Sequence, residues 1–262
     1  MTRIAHITDL HFGAEDPAVV EALAAELAAD APDLVAISGD LTLGARPSEF
    51  RAARAFIDAL PVPALAVPGN HDISPYRLIE RFTDPYASWR VEIAPDTEPT
   101  WQNEQTMVVG LNTARRLGIH WDWSRGRVTS VRLRRLLARL SAAPPSLARV
   151  VVAHHPLLPP EAAPDTPVAG GAHRALAALA SAGVRLVLAG HLHRGYARLA
   201  SPAPDSPLIL QGSTATSIRL RGEPNAYNRV TLAPDGSPIV EVRIWNGCAW
   251  ETQHLLQQGH PA

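Results

Sequence analysis

Five short motifs in this sequence carry the residue types that bind metal ions. Each contains carboxylate, amide or imidazole side chains, which are the ligands that hard and borderline metal ions prefer. Six of the eleven histidines lie within these motifs. In chain order the motifs are Asp9-Leu10-His11, Gly39-Asp40, Gly69-Asn70-His71-Asp72, His154-His155-Pro156 and Gly190-His191-Leu192-His193. The pattern therefore predicts a metal centre.

Each motif follows a short apolar run that is typical of a β-strand. The runs are Ile4 to Thr8, Leu34 to Ser38, Ala64 to Val67, Val150 to Ala153 and Val184 to Ala189. In an open α/β sheet the loops beyond the carboxyl ends of the strands converge on one rim. We therefore expect the five motifs to meet at one site and to hold a metal pair there. Gly39, Gly69 and Gly190 would let the chain turn tightly just before a ligand.

Helical patterns alternate with these strands. Asp16-Pro17 predicts a helix start, with Val20, Leu23 and Leu27 on one face, and Pro47 begins a second helix. A later helix has Leu133 and its apolar neighbours inward and Arg132, Arg135 and Arg139 on a solvated face. This alternation predicts an α/β protein of layered sheets flanked by helices.

The five motifs serve one site, which favours a single domain over residues 1–256, with residues 257–262 as a disordered tail. The proline-rich stretch from Pro156 to Gly171 joins two ligand-bearing strands, so we interpret it as an ordered loop over the rim. From Pro207 onward the chain is rich in strands, which we expect to complete the second sheet.

Five motifs in this order, each after a strand, resemble the calcineurin-like metallophosphoesterase superfamily. Within this superfamily, the motifs Gly-Asn-His-Asp, His-His-Pro and Gly-His-Leu-His are most similar to those of the small bacterial class III cyclic nucleotide phosphodiesterases. The resemblance implies a four-layer α/β/β/α sandwich. The lipid A branch of the superfamily typically has Arg where this chain has His71, which argues against a lipid A precursor as the substrate.

The resemblance also implies which residues hold two divalent metal ions. Asp9, His11, Asp40 and His193 would bind the first ion, and Asp40, Asn70, His154 and His191 would bind the second, with Asp40 as the bridging carboxylate. The choice of His154 rather than His155 as the metal ligand rests on the family's His-x-Pro motif. Mn, Fe and Zn all accept these ligands, so the sequence does not select the metal.

The family's chemistry is hydrolysis by a hydroxide that bridges the two ions. The ions lower the pKa of the bridging water and neutralise the phosphoryl oxygens. His71, beside Asn70, would stabilise the charge on the phosphate and on the departing alkoxide. Asp72 would orient the ring of His71, as a carboxylate does for a catalytic imidazole.

Residues for substrate recognition are predicted with less support from the pattern. The candidates are His155, Asn112, Arg115, His120 and Arg219, and ordinary loop packing explains each of them equally well. The favoured substrate is a small phosphodiester, with cyclic nucleotides first. A phosphomonoesterase is the alternative, because a dianionic monoester favours an extra Arg, such as Arg115, Arg116 or Arg219. A metal-binding scaffold is a third possibility, but the complete ligand set argues against it.

Composition limits the other functions. The formal net charge of −1 provides no excess of positive charge to bind the backbone of a nucleic-acid polymer, so we expect a small-molecule partner. All 24 basic residues are Arg, which excludes lysine Schiff-base chemistry. A single cysteine, no signal-peptide pattern at the start and no apolar run of membrane-spanning length suggest a cytoplasmic protein without a membrane partner. The oligomeric state is left open, with a dimer as one option.

Overall fold

Two six-stranded mixed sheets form the centre of the computed structural model, which describes residues 1–115, 124–203 and 205–257. The first sheet has the spatial order β12 (Trp250–Gln257), β11 (Pro238–Trp245), β10 (Ala226–Leu232), β1 (Thr2–Ile7), β2 (Leu34–Ile37) and β3 (Ala64–Ala66). The second has the order β4 (Thr100–Gln102), β5 (Thr106–Leu111), β6 (Ala148–Ala153), β7 (Val184–Ala189), β9 (Leu208–Gln211) and β8 (Tyr196–Leu199).

The strands that precede the metal-binding motifs run parallel within each sheet. Strand β1 pairs in parallel with β2, and β2 with β3, in the first sheet. Strand β6 pairs in parallel with β5 and β7 in the second sheet. Their carboxyl ends therefore lie on one rim of each sheet, and the motif loops leave from those rims.

Six described helices cover the outer faces of the sheets or lie in the connections. They are α1 (Pro17–Asp30), α2 (Pro47–Asp58), α3 (Leu78–Thr83), α4 (Ala87–Glu92), α5 (Ser130–Ala142) and α6 (Ala172–Ser181). The predicted start of α1 is observed, since the Asp16 side chain accepts a hydrogen bond from the Ala18 N–H and Pro17 is the first helical residue. The longest of these helices has 14 residues, and none of them is long and apolar enough to cross a bilayer.

Side-chain alternation along the strands produces three apolar layers. In β6, Val150 and Val152 point into the layer between the two sheets, whereas Val151 and Ala153 face α5 and α6. Residues of β1 and β2 alternate in the same way between the inter-sheet layer and the layer beneath α1 and α2. The four-layer α/β/β/α sandwich implied by the sequence is thus confirmed.

The C-terminal strands correct one prediction. Only β9 enters the second sheet as expected, next to β7. Strand β10 pairs antiparallel with β1, and β11 and β12 follow it, so these three strands extend the first sheet. Residues 258–262 of the predicted tail lie outside the described residues, while Gln257 belongs to β12.

Two arginines of α5 also differ from their predicted solvated positions. The Arg132 guanidinium is part-buried and donates to the carbonyls of Asn112 and Ala114 at 2.7 and 2.9 Å. Arg139 donates to the carbonyl of Glu98. Helical spacing placed these residues correctly on the polar face. Loops of the rim pack over that face, however, and their backbone carbonyls accept hydrogen bonds from the two guanidinium groups.

The inter-sheet layer generates a stability prediction. Leu186 is fully buried there, whereas Leu199 at the sheet edge is 42% exposed. Leu186→Ala leaves a cavity and should lower the free energy of unfolding by about 2–5 kcal/mol. Leu199→Ala should change it by less than about 0.5 kcal/mol. Urea unfolding followed by circular dichroism measures both, and equal losses would contradict this assignment of the core.

Candidate metal centre

The motif loops of the two sheets meet and are hydrogen-bonded to one another. The backbone N–H of His191, after β7, donates to Oδ2 of Asp9, after β1, at 2.9 Å. The His154 ring, after β6, donates from Nδ1 to the Ser38 carbonyl, after β2, at 2.8 Å. Residues as much as 182 positions apart in the chain thereby come together in one buried site.

One group of side chains places three acceptor atoms face to face. Nε2 of His193 lies 3.2 Å from Oδ1 of Asp9 and 3.1 Å from Nε2 of His11. Nδ1 of His11 faces the Thr42 carbonyl, and Nδ1 of His193 faces the Arg219 carbonyl. A neutral imidazole that donates from Nδ1 has a bare lone pair at Nε2. Two lone pairs and a carboxylate oxygen therefore point at one another.

A second group repeats this arrangement around Asp40. Nε2 of His154 lies 3.2 Å from Oδ2 of Asp40 and 3.2 Å from Oδ1 of Asn70. The same Oδ2 of Asp40 lies 3.9 Å from Nε2 of His11, which belongs to the first group. The His191 ring packs beside His154 with a centroid separation of 5.2 Å. Asp40 therefore lies between the two groups.

These facing acceptors fit metal ions. Ligand atoms about 2.0–2.2 Å from one tetrahedral metal lie roughly 3.4 Å from each other, close to the separations in both groups. Oδ1 of Asp9 is buried and, among the described residues, has no hydrogen-bond donor, so a cation would satisfy it. Four sets of three His and Asp residues in this region could each hold an ion. The donor set suits divalent Mn, Fe or Zn.

The electrostatics of the site also call for positive charge. Burial raises the pKa of Asp9 and Asp40, but the nearby His193 and His154 side chains outweigh it and hold both pKa values well below the usual range. Burial lowers the pKa of His154, but Asp40 reverses this and raises it to about 9. Protons on the imidazoles or metal cations can balance the two carboxylates.

Backbone conformation at the site is unusual. Five of the proposed ligands are non-glycine residues with positive φ: Asp9 (53°), His11 (49°), Asp40 (52°), His191 (79°) and His193 (56°). This region is disfavoured for residues with a Cβ atom, and such conformations concentrate at functional sites. The loops thus direct these side chains toward the proposed metal centre, although the backbone conformation at each position is energetically unfavourable.

Two glycines are required by close approach. A Cβ atom at Gly69 would overlap the Asp40 carboxylate, and one at Gly190 would overlap the Thr8 hydroxyl. Thr8 Oγ1 donates to Asp9 Oδ2 at 2.7 Å, so the second overlap would also disturb a proposed ligand. The expectation that a side chain at these positions would crowd the site agrees with this geometry.

The structure corrects the role given to Asp72. Its buried carboxylate accepts hydrogen bonds from the N–H groups of Leu41, Thr42 and Gly69, and from the Thr42 hydroxyl. Burial and the charge of Asp40 raise its pKa to about 6. Asp72 therefore holds the Asp40 and Asn70 loops together. The His71 ring is oriented instead by the carbonyl of Leu43, to which Nδ1 donates at 2.5 Å.

His71 lies beside the metal-binding groups. Its backbone N–H donates to Oδ1 of Asp40 at 2.8 Å, and its half-buried ring packs edge-on against His11 with centroids 4.8 Å apart. Because Nδ1 is engaged by Leu43, Nε2 is the ring atom available for a substrate.

His155 is separated from the ligand atoms by its own hydrogen bonds. The Thr113 hydroxyl faces Nδ1 at 2.8 Å, and Nε2 donates to the Ser124 carbonyl at 2.7 Å. Burial, together with repulsion from His154 and His191, holds its pKa well below the ordinary value, so the ring is neutral. Both nitrogens are used within the protein. His155 therefore supports the 124–126 loop, and its substrate contact stays a prediction.

The remaining predicted substrate contacts have different outcomes. Asn112 is fully buried, and its Oδ1 accepts from the Ala114 N–H and the Tyr86 hydroxyl, while its substrate contact stays a prediction. Arg115 is half-buried at the end of a described segment, and His120 lies outside the described residues. Arg219 is exposed, and it reaches the site through its backbone carbonyl, which accepts from His193.

Several supporting residues were not identified from the sequence. The hydroxyl of Thr214 donates to the Asp9 carbonyl at 2.6 Å and that of Thr216 donates to the Leu10 carbonyl at 2.9 Å. Thr8, adjacent to Asp9, could have been found from its position in the motif. The backbone carbonyls of Ser38, Thr42 and Leu43, which orient imidazoles, could not have been identified from the sequence, since every residue has a carbonyl group.

Two relatives of known or probable enzyme class match parts of this chain. A glycerophosphodiester phosphodiesterase of Enterobacter lignolyticus is 36% identical over 26% of this chain and 29% of its own length. A probable cyclic nucleotide phosphodiesterase of Synechococcus is 36% identical over 29% of this chain and 33% of its own. The chain thus spans about a third of the length of these relatives.

Solved structures share the fold at low sequence identity. A dimetal phosphatase from Danio rerio matches with a TM-score of 0.66 and 13% identity, over 96% of this chain and 98% of its own. A purple acid phosphatase from yellow lupin matches with a TM-score of 0.68 and 13% identity, over 96% of this chain and 52% of its own. The family model for calcineurin-like phosphoesterases matches residues 2–195, and its members use divalent metals. This chain belongs to the calcineurin-like phosphoesterase family.

Proposed function

We propose that this protein is a dinuclear metal-dependent phosphodiesterase that hydrolyses small phosphodiesters, with cyclic nucleotides as the first candidates. The observation that carries the proposal is the pair of facing acceptor groups that share Asp40. Two related proteins that are named as phosphodiesterases support the diester preference.

The proposed ligands of the first ion are Asp9, His11, Asp40 and His193, and those of the second are Asp40, Asn70, His154 and His191. When bound, the metal pair supplies Lewis acidity, which activates water and neutralises phosphoryl oxygens. The protein's own part is to direct Nε2 of the imidazoles toward the proposed ion positions. It does so for His11, His154 and His193 by engaging Nδ1 with a backbone carbonyl.

His71 is the proposed proton donor to the leaving group. Its Nδ1 is held by the Leu43 carbonyl, which orients Nε2 without using it. The N–H of the same residue holds Asp40, so the position of the donor is coupled to the position of the proposed bridging ligand.

A phosphomonoesterase on the same site is the second candidate. One observation favours it: Arg221 is exposed near the proposed ligands and has no carboxylate partner among the described residues. A guanidinium there could meet the extra charge of a monoester. Against it, the ligand motifs themselves contain no Arg.

Matched p-nitrophenyl substrates test the proposed function. With Mn added, we expect a higher kcat/KM for bis-p-nitrophenyl phosphate than for p-nitrophenyl phosphate, and loss of both activities with a chelator. Assays of 3′,5′- and 2′,3′-cyclic AMP would then follow. A monoester preference of about tenfold, equivalent to about 1.4 kcal/mol of transition-state discrimination, would replace the diesterase proposal by the phosphatase one.

Gly69→Ala should reduce metal content. The added Cβ would overlap the Asp40 carboxylate, the proposed bridge, so both ions should be affected. Gly44→Ala is the matched control on the same rim, because its Cβ would meet no atom closer than 3.6 Å. Elemental analysis measures bound metal, and circular dichroism checks folding. Full metal content in folded Gly69→Ala would rule out this account of the loop.

His71→Ala should lower the rate without lowering metal content. Loss of a general acid costs about 10²–10⁴-fold for a poor leaving group, and p-nitrophenol, which needs no proton, should show a smaller loss. Kinetics on p-nitrophenyl and phenyl diesters measure the difference. His173→Ala, an exposed histidine of α6, is the control. Equal losses with both leaving groups would exclude proton donation by His71.

A further inference from the structure

A cleft of about 580 Å³ opens beside the proposed metal ligands. Residues 160–166 form one wall, residues 192–197 the other, and Arg221 with Glu223 closes one side. Leu192, which lies between His191 and His193 in the chain, is part of the lining, so the cleft adjoins the metal centre. Its volume is in the range of sites for small organic molecules.

The wall formed by residues 160–166 is held in place by hydrogen bonds just before it. The Tyr196 hydroxyl donates to the Leu158 carbonyl at 2.6 Å, and Arg198 donates to the Pro159 carbonyl at 2.9 Å. Ala162, Ala163 and Ala197 provide apolar surface in the lining. The cleft can therefore accept an organic group against a fixed wall.

Two arginines, Arg194 and Arg221, and two glutamates, Glu161 and Glu223, supply the charged groups of the cleft lining. In the described parts of the chain, neither Arg194 nor Arg221 has a carboxylate within salt-bridge distance, although both line the cleft and are exposed. An anion from outside the protein can pair with these two guanidinium groups.

One of the two glutamates of the lining, Glu223, is engaged by other groups. Oε2 of Glu223 accepts from the Gly195 N–H at 2.8 Å and from the Ser213 hydroxyl at 2.5 Å. Nε of Arg194 donates to the Arg221 carbonyl at 3.4 Å, which keeps the two arginines adjacent. Both guanidinium groups thus stay available to a ligand.

We infer that this cleft receives one ester group of the phosphodiester substrate and that Arg221 binds a second anionic group, a phosphate or carboxylate, on that ester group. The inference rests on the proposed function and specifies its substrate class. A guanidinium suits this role because its fork matches the two oxygens of either anion. Arg221 lies beyond residues 2–195, so it belongs to the part of the chain outside the family match.

Two diesters with the same leaving group test the inference by kinetics. They are the p-nitrophenyl esters of thymidine 5′-phosphate with and without a 3′-phosphate. The wild-type protein should prefer the 3′-phosphorylated substrate by about tenfold in kcat/KM, the range for a charged hydrogen-bonded contact. Arg221→Ala should abolish most of this preference, and Arg221→Lys should restore part of it. Arg135→Ala, on the outer face of α5, should retain it.

The outcomes separate the possibilities. Equal kcat/KM for the two diesters in the wild-type protein would overturn the inference, as would an unchanged preference in Arg221→Ala. A larger effect of Arg221→Ala on p-nitrophenyl phosphate than on either diester would also overturn it, because Arg221 would then serve the reacting phosphate.

Binding provides a readout that does not depend on turnover. Calorimetry should show that thymidine 3′,5′-bisphosphate binds the wild-type protein about tenfold more tightly than thymidine 5′-phosphate does, and that Arg221→Ala removes this difference. Equal affinities in the wild-type protein would overturn the inference. Failure of the metal-loaded protein to hydrolyse any diester would refute the proposed function, while the binding comparison would still decide the role of Arg221.

Discussion

Two carboxylates, Asp9 and Asp40, are buried together where the rims of the two sheets meet. Burial of like charges is costly unless donors or cations surround them. The loops provide donors from three directions: the His71 N–H on Asp40, and the His191 N–H and the Thr8 hydroxyl on Asp9. These contacts leave Oδ1 of Asp9 and Oδ2 of Asp40 directed toward imidazoles. The need to neutralise these two atoms dictates the arrangement of the histidines.

The neutralisation of these two carboxylates depends on loop conformations that non-glycine residues rarely adopt by their own backbone preference. Five ligand positions have positive φ, and hydrogen bonds between motifs, such as the Asp9 N–H to the Gly39 carbonyl and the His11 N–H to the Asp40 carbonyl, hold them. A strained conformation persists only where the surrounding structure over-determines it. Here the three apolar layers of the sandwich fix the strand ends, and the strand ends fix the loops. The stability of the fold is therefore what makes the geometry of the site possible.

The sequence predicted what depends on local patterns. Strands, their order before each motif, and the start of α1 were found correctly, because periodicity and capping act over a few residues. The same patterns could not distinguish Arg132 from Arg135, which both lie on the polar face of α5, since only the position of the 112–114 loop decides which one is covered. Pairing of β10 with β1 and the engagement of Asp72 by Thr42 likewise join residues far apart in the chain. Contacts of that kind have no signature in the sequence near either partner.

The segment after β9 contacts both the loops of the proposed metal ligands and the cleft beside them. Thr214 and Thr216 hold the backbone of the Asp9 loop, the Arg219 carbonyl orients His193, and Arg221 then lines the cleft. This segment follows the part of the chain that the family model matches. Proteins that share the ligand motifs can thus differ in this segment and present other side chains to the substrate. Because the backbone of the segment supports a proposed ligand while the Arg221 side chain lines the cleft, replacement of that side chain can alter the cleft without disturbing the proposed ligand.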